Sequence, residues 1–111
     1  GRTVDLDIGL KYQALANGQI DVMIVFTTDG QLAAADARVL TDDRSFFPSY
    51  RCGNVVRADV LDRHPELGDA LEKLTGIITD EEMAAMNYAV ETGGREPHSV
   101  AEEFLRGKGV L

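Results

Sequence analysis

The sequence contains no tryptophan, one cysteine, and an aromatic complement of four phenylalanines and three tyrosines. A single cysteine, Cys52, excludes an internal disulfide and any multi-cysteine metal cluster. Two histidines, His64 and His98, lie far apart without the spacing of metal ligands, so no metal or other cofactor is expected. Basic residues are scarce: 11 Lys and Arg stand against 19 Asp and Glu, for a formal net charge of -8. They are scattered singly, and nucleic acid is therefore excluded as a partner, because phosphate binding needs clustered cations. No apolar run approaches the roughly 18 residues that span a bilayer. The longest, Val-Met-Ile-Val-Phe at 22–26, is strand length. The chain opens Gly-Arg-Thr-Val-Asp, with neither an initiator methionine nor the charged start and apolar core of a signal peptide. It is expected to be a processed or recombinant piece.

What is present is the composition of a globular domain, 44% hydrophobic and 27% charged. Residues 7–17 read as a helix, with Leu6, Leu10, Ala14 and Leu15 returning on one face and Asn17-Gly18 as its left-handed stop. Residues 22–26 follow as a buried strand. Thr27-Thr28-Asp29-Gly30 is a cap-type sequence before a short helix over 31–36, and residues 38–40 suggest another strand. That alternation implies an α/β architecture with parallel pairing. Ser45-Phe-Phe-Pro-Ser-Tyr50 is an aromatic connector, and residues 54–57 suggest a third strand. The rest is helical. Pro65 sits in a first turn, Leu67, Leu71 and Leu74 form a stripe, and Gly76 ends it. Thr79-Asp-Glu-Glu82 is a capping box opening a helix to about Val90. A last helix spans roughly 99–106, ended by Gly107. Three strands spread over two halves make a poor sheet, so either the chain pairs with a second copy or sequence is missing from the fold.

Several landmarks, in order along nearly the whole chain, resemble one family. They are Leu10-Lys-Tyr-Gln-Ala-Leu-Ala-Asn-Gly-Gln-Ile-Asp-Val22, Phe26-Thr-Thr-Asp-Gly30 and Leu40-Thr-Asp-Asp-Arg-Ser-Phe-Phe-Pro-Ser-Tyr50, then Pro65-Glu-Leu, Ile78-Thr-Asp-Glu-Glu-Met83, Met86-Asn-Tyr88 and Ala101-Glu-Glu-Phe-Leu-Arg-Gly-Lys-Gly109. The chain resembles the substrate-binding proteins of quaternary-amine (glycine betaine, choline, carnitine) ABC importers. The resemblance implies a type II periplasmic-binding-protein-like fold of two α/β lobes, of which this chain is an incomplete portion with a helical C-terminal tail. It further implies that residues 1–43 end the second lobe, while residues 44–111 return through the hinge and complete the first. It also implies an ABC permease subunit as partner. The expected location is periplasmic or at the extracellular face of the cytoplasmic membrane, either free or lipid-anchored. A fragment folding alone is expected to form an intertwined homodimer.

A trimethylammonium group is cationic but has no N–H to donate, so proteins hold it with aromatic faces worth about 0.5–2 kcal/mol each. Phe26, at the carboxyl end of the expected strand, and Tyr50, in the connector, lie where sites usually form. On the residues alone, Phe26 ending a buried strand and Tyr50 packing under a hinge are equally open readings. The resemblance favours a cage, since both fall where the family places cage aromatics. Thr27, Thr28 and Asp29 read first as helix caps; the functional reading has a hydroxyl or backbone N–H meeting a ligand carboxylate or hydroxyl, or Asp29 balancing the onium charge. Arg51-Cys52-Gly53-Asn54 departs from the family, as does Phe26 in place of a tyrosine, and Arg51 suits a carboxylate tail better than a bare cation. A betaine is thus expected ahead of choline. Asp80-Glu81-Glu82 is read as favouring the helix dipole, and Met83 and Met86 as core. No catalytic residues are expected, a thiol enzyme built on Cys52 being unsupported by any spacing. The competing function is a non-transporting, ligand-sensing or structural module with the same fold.

Overall fold

The computed structural model of the chain describes residues 1–48 and 50–111; Ser49, within the aromatic connector, lies outside the described residues. A 3₁₀ turn, Ile8–Leu10, runs directly into helix α1, Lys11–Ala16. The Asp7 carboxylate starts it by accepting the Gly9 N–H at 2.8 Å. It stops where the sequence places the stop: Gly18 takes φ +66°, a conformation glycine adopts without a Cβ clash. Ala14 on α1 is 3% exposed.

The expected strands are not formed. Among the described residues no strand occurs, at 22–26, 38–40, 54–57 or elsewhere, so this chain by itself does not realise the α/β architecture. The physical reason is that a strand, unlike a helix, satisfies its backbone groups on a neighbour. The apolar side chains that such a sheet would cover stand open instead: Val22 is 77% exposed, Ile24 71% and Val55 fully.

The helical segments fare better, because their hydrogen bonds are local. Gly30–Ala34 is a 3₁₀ turn, shorter and tighter than the helix expected over 31–36. Helices α2 (Ala58–Arg63) and α3 (Glu66–Glu72) flank His64-Pro65, with Gly76 at φ +72° beyond them. Helix α4, Asp80–Glu91, begins with the predicted capping box: Thr79 Oγ1 accepts the Glu82 N–H at 3.2 Å, and Glu82 Oε2 accepts the Thr79 N–H at 3.0 Å. Met83 and Met86 on α4 are half-buried rather than enclosed. Helix α5, Pro97–Gly107, starts with proline in its first turn. Gly107 is still helical; the left-handed residue past the end is Gly109, at φ +70°.

The chain divides into two compact units, Gly1–Ala37 with Thr79–Leu111, and Arg38–Ile78. In the first, the Gly30–Ala34 turn packs on α4 and α4 packs on α5. Val100 of α5 is buried there, and Lys108 Nζ bridges to Glu82 Oε1 at 2.6 Å, joining the end of α5 to the start of α4. In the second unit α2 packs on α3. Among the described residues no helix is long and apolar enough to cross a membrane.

Candidate functional site

The Phe26–Gly30 segment is a tight turn built from its own backbone: the Asp29 N–H donates to the Phe26 carbonyl at 3.0 Å. Two distant elements then grip it. From α1, Lys11 Nζ lies 2.6 Å from Asp29 Oδ2, and the Tyr12 hydroxyl donates to the same oxygen at 2.8 Å. The Phe26 N–H approaches that oxygen at 3.4 Å, and Lys11 Nζ is also 3.5 Å from the Ile24 carbonyl. The Lys11 and Asp29 side chains are 13% and 22% exposed, so water screens this pair less than a surface pair.

From α4 come two hydrogen bonds that span more than fifty residues of sequence. Thr27 Oγ1 donates to Asp80 Oδ2 at 2.8 Å, and Asn87 Nδ2 donates to the Thr28 carbonyl at 2.8 Å. Gly30 makes the approach possible. A Cβ there would lie 2.6 Å from the Tyr88 nitrogen and 2.7 Å from the Asn87 carbonyl carbon, distances that backbone atoms cannot accept.

Titration behaviour follows from this arrangement. Burial alone would push the Asp29 carboxyl up, but the Lys11 ammonium, the Tyr12 hydroxyl and the Phe26 N–H together hold it below the usual carboxylate range. Burial and then the hydrogen bond and charge of Asp29 raise the Tyr12 phenol well above its ordinary value. The Asp29 carboxylate does not cap the Gly30–Ala34 turn, contrary to the commoner role expected for it. A cation from another helix competes better for its charge than a neutral backbone N–H.

Lys11 also lies close to two rings, 5.2 Å from the Tyr12 centroid and 5.8 Å from that of Phe26. Both distances fall within the range of cation–π attraction. Phe26 is 46% exposed, so it does not end a buried strand.

The structure thus brings Phe26, Thr27, Thr28 and Asp29 together in one turn. Tyr50 belongs to the other unit, where it is 72% exposed. Its connector is organised by Asp42, whose two carboxylate oxygens accept the N–H groups of Phe46 at 3.0 Å and Phe47 at 2.9 Å. The Phe47 and then the Phe46 N–H hold the Asp42 carboxyl below its ordinary pKa. Ser45 takes φ +51° to allow this wrap, and the two phenylalanine rings meet edge to face at 5.1 Å. Two shallow grooves, one lined by Val56, Leu61 and Leu71 and the other by Ala101, Leu105 and Leu111, include none of the predicted site residues. Among the described residues no group of His, Cys, Asp and Glu could hold a metal, and Cys52 is exposed.

Sequence reasoning missed Lys11, Tyr12, Asp80 and Asn87 as partners of the turn. Asp80 serves the turn through Thr27 as well as favouring the helix dipole. The signal for the others lay inside two quoted landmarks, Leu10-Lys-Tyr and Met86-Asn-Tyr88, whose polar members needed a partner that spacing alone cannot reveal.

Residues 1–107 match the substrate-binding domain of ABC-type glycine betaine transport systems. The chain belongs to this family. It is 41% identical over 106 residues to an ergothioneine transport permease/ergothioneine-binding protein of Helicobacter pylori (strain G27), covering 96% of this chain and 19% of that protein. Against the carnitine transport binding protein OpuCC of Listeria monocytogenes serotype 1/2a (strain 10403S) it is 41% identical over 101 residues, covering 91% of this chain and 33% of the relative. Among solved structures, a glycine betaine/carnitine/choline ABC transporter superposes with a TM-score of 0.79 at 44% identity, over 95% of this chain and 38% of that one. The chain therefore spans between a fifth and two-fifths of the length of these relatives.

Proposed function

We propose that a full-length protein carrying this chain captures a quaternary amine, such as glycine betaine, carnitine or choline, and hands it to the permease of an ABC importer. The observation that carries this reading is the Phe26–Gly30 turn. A half-exposed aromatic residue is held on a backbone fixed from two sides, in a chain of the glycine betaine-binding family. Rigid support of this kind is what a ring needs to hold a group that offers no hydrogen-bond donor, since a mobile ring would lose rotamer entropy on binding.

In this reading Phe26 and Tyr50 are walls of an aromatic cage closed between two α/β lobes, each wall contributing about 0.5–2 kcal/mol. Thr27 and Thr28 follow in the turn, where a hydroxyl or backbone N–H meets the ligand's carboxylate or hydroxyl. Asp29 acts through Lys11 and Tyr12. Residues 1–43 would close the second lobe of a type II binding protein and residues 44–111 would return to complete the first, with the tail beyond Thr79 packing back on residues 1–37. Full lobes would supply the strand neighbours that Val22, Ile24 and Val55 lack among the described residues. The work is capture outside the cytoplasmic membrane, in a periplasm or on a lipid anchor, without turnover. Expressed by itself, the chain would satisfy its open apolar faces as an intertwined homodimer, and a monomer by light scattering would refute that part.

The test is calorimetry on the full-length protein. Replacing Tyr50→Ala is expected to weaken binding of the preferred onium ligand at least tenfold while leaving the melting temperature within a few degrees; unchanged affinity would overturn the cage. A thermal-shift panel of glycine betaine, choline, carnitine and ergothioneine separates capture from a purely structural module of the same fold, which would respond to none of them; a ligand-sensing module would respond but would not support uptake of the ligand.

A further inference from the structure

We propose, building on the capture reading, that Lys11 determines which class of quaternary amine is accepted: by neutralising Asp29 beside Phe26, it makes the site one for onium zwitterions rather than for net cations. The ligands of interest differ in charge. Glycine betaine and carnitine carry a carboxylate and are neutral overall, whereas choline carries a full positive charge.

Three observations converge on Lys11. Its ammonium is 2.6 Å from Asp29 Oδ2, so the one carboxylate in the Phe26–Gly30 turn already has its counter-ion. Its side chain is 13% exposed and also reaches the Ile24 carbonyl at 3.5 Å, which fixes the charge in place. It stands 5.8 Å from the Phe26 centroid, so a cation is already at the ring proposed to receive the ligand. An onium held on that ring sits within roughly 6 Å of the same centroid. The Lys11–Asp29 pair then lies at most about 12 Å from the onium, and because both side chains are largely shielded from solvent, salt screens their influence on it only in part. Because the pair is neutral overall, it offers choline no net counter-charge, whereas a betaine brings its own carboxylate and needs none. Without Lys11, Asp29 would present an unbalanced negative charge that attracts choline and repels a betaine's carboxylate.

The role differs from a structural one in its readout. Loss of rigidity would weaken all ligands alike, whereas a charge effect moves their ratio. In the full-length protein, Lys11→Gln is expected to shift the choline-to-glycine-betaine affinity ratio about fivefold or more toward choline. Asp29→Asn, which leaves Lys11 unbalanced, should shift it in the opposite direction. The double variant, neutral again, should return toward the wild-type ratio. Calorimetric titration with both ligands, after circular dichroism has verified folding, reads all three. If Lys11→Gln does not fold, Asp29→Asn still carries a signed expectation, and an Asp29→Asn ratio within twofold of wild type overturns the role by itself. Ratios within twofold of wild type in every folded variant would overturn the role of Lys11 and leave the capture reading standing. Wild-type protein that binds neither ligand would overturn the role of Lys11, and one that binds no member of the onium panel would overturn the capture reading as well.

Discussion

The two segments that carry the proposed cage rings are built in opposite ways. The Phe26–Gly30 turn is held by residues distant in sequence: Lys11 and Tyr12 on one side, Asp80 and Asn87 on the other, with Gly30 pressed against the backbone of α4. The connector before Tyr50 is held locally, with Asp42 accepting N–H groups four and five residues away and Tyr50 left 72% exposed. The difference separates the two tasks of a closing site. In the proposed cage, the segment carrying one ring is fixed by tertiary contacts, while the segment carrying the other is folded by local ones. Pre-fixing one wall lowers the entropy lost when ligand arrives.

Breaking the tertiary grip should have the largest effect. Gly30→Ala places a methyl where only 2.6 Å separates it from the Tyr88 nitrogen, so α4 must move away from the turn. Overpacking of this kind costs about 1–3 kcal/mol, and a lower denaturant midpoint is expected with ligand affinity reduced as well. An unchanged midpoint would mean that α4 does not lie against the turn.

Asn87→Ala comes next. It removes the 2.8 Å hydrogen bond to the Thr28 carbonyl and leaves that acceptor in a partly buried place, for about 1–2 kcal/mol. No corresponding loss should follow from substitutions in the Asp42 connector, whose bonds are exposed to water. Equal losses from both regions, in equilibrium denaturation, would erase the contrast.

Acid sharpens the comparison with the smallest perturbation. Asp29 and Asp42 both have folded pKa values below those of the unfolded chain, where aspartate titrates near about 3.9. Their contributions are therefore complete above that value and lost as pH falls through the lower folded one. Amide resonances of Phe26, Phe46 and Phe47 should titrate with midpoints below about 3.9. Only protonation of Asp29 should also disturb α1, because only Asp29 is bonded across elements. A midpoint at or above the ordinary value for either carboxylate would remove its assigned partners.

The helices were legible because their determinants are near in sequence. Asp7, Asn17-Gly18, Pro65 and the Thr79–Glu82 box act within a few residues of what they start or stop, whereas the start of the last helix at Pro97, two residues before the expected Ser99, went unread. The strands were not: a run such as 22–26 has the right length and polarity, but its ladder depends on a partner that no local pattern names. Asp29 shows the same limit in a side chain. The sequence favours a local cap, yet the carboxylate goes to Lys11, eighteen residues earlier, because a partly buried opposite charge outweighs a backbone N–H. The family landmarks did carry the turn as a unit, and with it the identity of the candidate ring.

The central claim concerns Phe26, and titration of glycine betaine into full-length protein with Phe26→Ala or Phe26→Tyr tests it most directly. Removal of the ring should lower affinity about tenfold or more, roughly the 1.4 kcal/mol of a lost aromatic face, while tyrosine should retain it. If Phe26→Ala binds as tightly as the wild type, the ring does not hold the ligand.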